Sequence, residues 1–227
     1  MEEYNLQEIR IEDYNSIKEY YQKRRPETAD SNILDLYIWL NRYPTWYFTN
    51  DKGLMWVAKS EDGQYYSSIP CCKDEDLKEC FIETQKYFNE VLQKKLVMYV
   101  VDKAAVDLLQ LPKDEYVVVP DRTYADYVYD AEKLRTFSGK KYHKKKNHLN
   151  AFKREYEGRY EFKFLSKKDE PEILAFLEDW KKHKSDTEEH EFIDSEAVGI
   201  KYILEHEEVF DYKIGAVYVD NKLEAFT

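Results

Sequence analysis

The stretch TWYFTNDKGLMWVAKS, residues 45–60, decides the reading of the fold. Two runs of strand-forming residues flank an Asn-Asp-Lys-Gly turn at 50–53. After a second turn at Glu61-Asp62-Gly63, the run QYYSSIP (64–70) supplies a third strand. Together they predict an antiparallel meander.

Working outward, SNILDLYIWLNRY (31–43) reads as a helix opened by a Ser or Asn cap, with Ile33, Tyr37 and Leu40 about one turn apart. Downstream, Leu77, Cys80, Phe81, Thr84, Tyr87, Phe88, Val91 and Leu92 form one apolar stripe, which predicts a long helix from Asp74 to Lys95. Asp74, Glu75 and Asp76 suit its positive end, and Lys94 and Lys95 its negative end. LVMYVVD (96–102) reads as a strand buried on both faces, and residues 104–109 as a short helix. EYVVVPDRTYADYVYD (115–130) carries further strand character.

The second half opens with a helix or a pair of helices over 131–157, followed by a strand, YEFKFLS (160–166). Asp169 and Glu172 read as a reciprocal cap for a helix lined by Ile173, Phe176, Leu177 and Trp180. A polar loop, KSDTEEHEF (184–192), leads to a helix near Ser195–Glu205, and YKIGAVYVDNKLEAFT (212–227) reads as a hairpin turning at Asp220-Asn221-Lys222. A lone hairpin is marginal in water, so its second strand is expected to pair with chain beyond Thr227. A shift in composition near 125–135 divides the chain into units 1–127 and 128–227, the second incomplete.

Two such units suit 227 residues. Hydrophobic content of 43% with 36% charged residues excludes general disorder. No apolar run reaches the roughly 18–20 residues of a bilayer span, and the acidic start MEEYNLQEIRIEDY lacks the pattern of a secretory leader, so a cytoplasmic location is expected. Cys71, Cys72 and Cys80 are odd in number and lack metal-binding spacing, which predicts reduced, buried thiols. The six glycines form neither a Rossmann fingerprint nor a Walker loop, and no G-x-S-x-G elbow is present. His143 and His148 are five apart, and Asp194 stands where a zincin motif starting at His190-Glu191 needs its second histidine, so no metal site is predicted.

Against a net charge of -11, GKKYHKKKNH (139–148) concentrates five lysines and two histidines in ten residues. The negative total argues against general nucleic-acid affinity, so an anion site must be local. Wound as a helix over 140–156, the segment places Tyr142, Leu149, Phe152 and Tyr156 on one side, and Lys140, His143, Lys144, Asn147 and Arg154 on the other. Lys141 begins the same cationic turn, and Lys145 falls near Leu149 and Phe152, so that it either snorkels or enters a wet groove. The helix start after Ser138-Gly139 brings free N–H groups beside the first lysines. A lysine-rich face is ordinarily just solvated. Its functional alternatives are binding of phosphate, an RNA backbone or a lipid headgroup.

With its approach, DYVYDAEKLRTFSGKKYHKKKNHLNAFKREY (126–156) resembles a signature of the phosphatidylglycerol lysyltransferase C-terminal-like family, including its soluble bacterial members. SNILDLYIWLNRY resembles that family's early helix. The resemblance implies a mixed α+β architecture of two tandem acetyltransferase-like units, each a mostly antiparallel sheet flanked by helices. It also implies an acyl or aminoacyl transferase, because members fused to membrane domains transfer an aminoacyl group from charged tRNA to a lipid. Aminoacyl-tRNA or acyl-CoA would then be the donor and co-substrate, held by Lys140, Lys141, His143, Lys144, Lys145, Asn147 and Arg154. Such a reaction needs no covalent nucleophile, since the ester is already activated, and the sequence names no catalytic residue. Two other readings stay open: a non-catalytic module for an anionic ligand, and a lysine face that pairs internally with SDTEEHE (185–191).

Overall fold

The meander forms because its central run, GLMWVAK, is apolar at consecutive positions, as a strand covered on both faces must be. The computed structural model describes residues 4–24, 28–184 and 187–227. They group into two units, residues 1–126 with 198–203, and residues 127–197 with 204–227.

In the first unit, strand β1 (Gln7–Glu8) precedes helices α1 (Tyr14–Tyr21) and α2 (Ile33–Trp39). The meander is β2 (Thr45–Thr49), β3 (Gly53–Lys59) and β4 (Tyr65–Tyr66), and β5 (Cys71–Cys72) returns to pair with the start of β3. All pairings are antiparallel, with Tyr47 opposite Trp56 and Gly53 opposite Cys72. Helix α3 (Leu77–Lys86) follows a 3-10 turn at Asp74–Asp76 and continues as a π-helical turn, Tyr87–Val91. That wider turn lets Tyr87 and Phe88 both stay buried, and the chain leaves it through Gln93 at φ 53°. The apolar stripe is therefore helical from 74 to 91, four residues short of the expected end.

Met55 and Val57 of β3 join Leu77, Cys80, Phe81 and Phe88 in the main core, while Trp56 meets Tyr21 of α1 at 5.9 Å between ring centroids. Gly53 is required by close packing, since a Cβ there would sit 2.7 Å from the Cys72 Cβ and 2.8 Å from the Cys80 Sγ. All three cysteines are free; Cys72 and Cys80 are buried, whereas Cys71 is half-buried. Asn32 caps α2 by accepting from the Leu34 N–H at 3.0 Å. This fixes the start one residue inside the expected window, and the helix ends at Trp39, before Tyr43.

Two expected strands are absent among the described residues. The segment 96–102 makes only an isolated parallel bridge, in which the Ser67 N–H donates to the Val97 carbonyl and the Tyr99 N–H to that of Ser67. Leu96 and Met98 turn toward the core while Val97 and Tyr99 are exposed, so one face is covered instead of two. Helix α4 (Lys103–Leu109) follows, capped by Asp102. Beyond it, 115–130 is irregular, with Val117 89% exposed. Pro120 cannot donate to a ladder, and the Asp121 carboxylate accepts from the Thr123 N–H and hydroxyl instead, closing a turn.

The second unit contains α5 (Ala131–Thr136), α6 (His143–Glu155), β6 (Tyr160–Leu165), α7 (Glu170–Lys182), α8 (Thr187–Glu205), β7 (Ile214–Val219) and β8 (Lys222–Phe226). Residues 198–203 of α8 group with the first unit. The three strands form an antiparallel sheet in the order β6-β7-β8, with Phe162 opposite Val217 and Val217 opposite Ala225. The hairpin turns at Asp220 and Asn221, with φ 51° and 64°, the two positive values that a tight hairpin turn needs.

One face of this sheet meets α7. Ile173 and Leu177 are buried, Phe176 meets Phe226 edge-on at 5.4 Å, and the Tyr218 hydroxyl donates to Glu172 at 2.5 Å. On the other face, alternate β6 residues Tyr160, Phe162 and Phe164 are exposed. The cap before α7 is Ser166 with Asp169, whose carboxylate accepts from the Ser166 N–H at 2.9 Å, instead of Asp169 with Glu172. Glu172 is free to serve Tyr218. Trp180 lies on the exposed side, with the Lys184 ammonium 5.1 Å from its ring centroid. The stretch expected as a loop before Ser195 is helical from Thr187, where glutamates favour helix. Ser185 and Asp186, part of that expected loop, lie outside the described residues.

Candidate anion-binding helix

Helix α6 is built from residues that tolerate exposure. Its entry is fixed by Gly139 at φ 88°, a conformation that an L side chain rarely adopts, and a 3-10 turn at Lys140–Tyr142 leads into the first α-helical residue, His143. Neither start has a side-chain cap. Free N–H groups at a helix start need solvent or a ligand as their partner.

No residue of α6 is buried. Leu149, Phe152 and Tyr156 are half-buried, with Phe152 5.0 Å from the Tyr156 ring and 5.3 Å from the Tyr160 ring. The apolar stripe thus rests on local aromatics of its own unit. Lys140, Lys141, His143, Lys144, Lys145, Lys146 and Asn147 are all exposed, as are Lys153 and Arg154. Lys145 snorkels: its ammonium lies 5.1 Å from the centroid of Tyr129, a ring stacked on Tyr127.

Among the described residues, no ion pair engages Lys140, Lys141, Lys144, Lys145, Lys146, Lys153 or Arg154. The contrast with neighbouring elements is direct. In the preceding helix Arg135 meets Glu132 at 2.8 Å, and just beyond α6 the Arg159 guanidinium meets Asp220, with Nε to Oδ1 at 2.7 Å. Asp220 holds Arg159 above its ordinary pKa and is itself held below the usual carboxylate value by it.

The C-terminal half of α6 borders an open concavity of about 480 Å³, lined by Asn147, Asn150, Lys153 and Arg154. Asn147, Asn150 and Arg154 fall at i, i+3 and i+7, one helical face. Of the expected donors, Asn147 and Arg154 line this concavity; Lys140, Lys141, His143, Lys144 and Lys145 lie toward the helix start and do not. Asn150 and Lys153 were missed in the sequence reading, although the same spacing rule points to Asn150. The face offers ammonium, guanidinium and carboxamide donors. It suits a ligand with several acceptor oxygens, such as a phosphodiester.

Among the described residues, no cluster of His, Cys, Asp and Glu could hold a metal ion, and no helix is long and apolar enough to cross a membrane. No curated protein matches the chain. A solved structure of a conserved protein of unknown function from Bacteroides thetaiotaomicron VPI-5482 is similar to it, with a TM-score of 0.83 at 24% identity over 99% of this chain and 74% of the other. That likeness supports the mixed α+β fold of two antiparallel sheets. The model of the family described as phosphatidylglycerol lysyltransferase, C-terminal, matches residues 21–227. With nearly the whole chain matched, including the cationic helix, the protein belongs to the phosphatidylglycerol lysyltransferase C-terminal family, which carries a transferase-related function.

Proposed function

We propose that this protein is an acyl or aminoacyl transferase whose helix α6 holds a phosphate-bearing donor, either an aminoacyl-tRNA or an acyl-CoA. In this reading its two units are acetyltransferase-like. The observation that carries the proposal is the row of exposed cations along α6 that meet no carboxylate among the described residues, in a chain of net charge -11. Charge left unpaired at such density repels itself, and phosphate relieves that repulsion. Lys140, Lys141, His143, Lys144, Lys145, Asn147 and Arg154 act as donor-binding groups. The reaction proceeds by orientation and charge stabilisation on an ester or thioester that arrives activated.

The test is binding of tRNA, coenzyme A and an anionic lipid headgroup to the whole chain, with and without joint substitution of Lys140, Lys144 and Arg154 by Glu. Donor affinity falls at least about tenfold if each lost contact is worth on the order of 1 kcal/mol. Unchanged affinity removes the proposal. Binding without turnover of charged tRNA or acyl-CoA would leave a module that recognises an anionic ligand, the reading that the concavity lined only by Asn, Lys and Arg favours.

A further inference from the structure

Beside the cationic helix the chain holds out two aromatic rings that add little to its core. Tyr127 is 88% exposed and Tyr129 41%, with Val128 between them also exposed. The two rings lie 16° from parallel with their centroids 6.4 Å apart. At 88% exposure the Tyr127 ring meets solvent over nearly all of its surface, so its neighbour leaves it open to a ligand. Large aromatic surface left uncovered in one place marks an interaction site more than it serves packing.

The charge around the pair selects the ligand. The Lys145 ammonium lies 5.1 Å from the Tyr129 centroid, and the exposed Lys141 and Lys144 stand within about one turn of Lys145. The two acids that flank the tyrosines are engaged locally: Asp126 accepts from the Ala29 N–H and Asp130 from the Lys133 N–H, each at 2.9 Å. These lysines repel the alkylammonium ligands that aromatic pairs otherwise attract. A purely apolar partner would strip water from the ammonium groups at its edge and give them nothing in return. A flat π-system carried on an anion satisfies rings and lysines together. A nucleotide is such a group, with a base to stack and a phosphate to pair.

We propose that Tyr127 and Tyr129, with Lys145, form a nucleobase-stacking subsite, so that the ligand of α6 is held by a base as well as by phosphate. The proposal rests on the reading of α6 as a phosphate-binding helix and adds to it a contact that phosphate alone cannot make. The base belongs to an unpaired RNA nucleotide or to the adenosine of coenzyme A, since a base inside a duplex is already stacked.

The experiment measures binding to the whole chain at low salt with two pairs of probes: a short oligoadenylate beside an abasic phosphodiester oligomer of equal length, and coenzyme A beside inorganic tripolyphosphate. In at least one pair the base-bearing probe binds at least about fivefold more tightly, the low end of what one stacked base contributes. Tyr127→Ala with Tyr129→Ala removes that preference while leaving the melting temperature and the binding of the base-free probe unchanged. Tyr127→Phe with Tyr129→Phe keeps the ring faces and retains it. A tyrosine-dependent preference upholds the subsite, and the pair that shows it tells an RNA segment from the adenosine of a carrier. Equal binding within both pairs, or a preference that survives in the alanine variant, overturns the subsite and leaves phosphate binding by α6 standing. Absence of binding by all four probes overturns both.

Discussion

The starts of α3 and α6 treat the same physical problem in opposite ways. Both begin with a 3-10 turn and both present unsatisfied N–H groups and a partial positive charge. Before α3, Asp74, Glu75 and Asp76 stand at that end, and Glu79 follows in the first turn. At α6 the corresponding positions are Lys140 and Lys141, then Lys144, Lys145 and Lys146, with no acid in the first turn. Helices α5 and α7 follow the α3 pattern, with Glu132 and with Glu170 and Glu172. A sequence that obeys the dipole rule at three helix starts and inverts it at a fourth gives up stability locally. Such inversions concentrate where a binding role sets the residue types.

The comparison breaks most visibly where one carboxylate both caps a helix and neutralises a buried cation. Asp102 accepts from the Ala105 N–H at 3.0 Å at the start of α4 and is bidentate to Arg24, with side-chain exposures of 12% and 8%. Asp102→Ala leaves the buried guanidinium with only the exposed Asp74 for a partner, at 3.1 Å from its Nε, and an uncapped helix. It is expected to lower unfolding free energy by about 3–5 kcal/mol, measured by urea denaturation. A loss under about 1 kcal/mol would show that solvent reaches Arg24 freely.

Acid probes the same pair without a cavity. Burial alone would raise the Asp102 pKa, but the hydrogen bond and charge of Arg24 and the Ala105 N–H together hold it below the ordinary 3.8. A carboxylate depressed in the folded state contributes stability that is complete above its unfolded pKa and is lost as pH falls through the folded one. The wild-type chain therefore loses stability on acidification below about pH 4, and Asp102→Asn, which cannot titrate, shows a shallower acid limb. Parallel limbs would mean that other carboxylates dominate there.

The Asn32 cap of α2 is the plainer case, with neither buried charge nor inversion. Asn32→Ala removes only the acceptor for the Leu34 N–H. The expected loss is about 1 kcal/mol, read as a melting shift of a few degrees.

These ends also show what the sequence could disclose. The meander, the apolar stripe at 77–88, the hairpin at Asp220-Asn221 and the division of residues 142–156 were legible because periodicity and turn chemistry are local. What failed was set by distant partners. Strand propensity at 117–119 found no strand to pair with, and Leu96–Val101 met one edge position, Ser67, instead of a second ladder. Glu172 looked like a cap because its hydrogen bond to Tyr218, 46 residues away, has no local signature. At α6 the density of cations was legible, but their lack of ion-pair partners among the described residues was not, since pairing depends on where carboxylates from other elements fall. The ion pairs of Arg24 were invisible for the same reason, with partners 50 and 78 positions away.

The smallest expected effect is the most diagnostic. If the lysines at the start of α6 served the fold, replacing them would destabilise it. Lys140 and Lys144 instead oppose the positive end of the helix and repel one another, with no carboxylate among the described residues in compensation. Lys140→Glu with Lys144→Glu should therefore raise stability slightly, by roughly 0.3–1 kcal/mol at low ionic strength, with the gain shrinking as salt is added. A rise in melting temperature combined with loss of phosphate-ligand binding separates a surface kept for a ligand from one kept for packing. A fall in melting temperature would assign the lysines to internal pairing, and α6 would then be an ordinary structural helix.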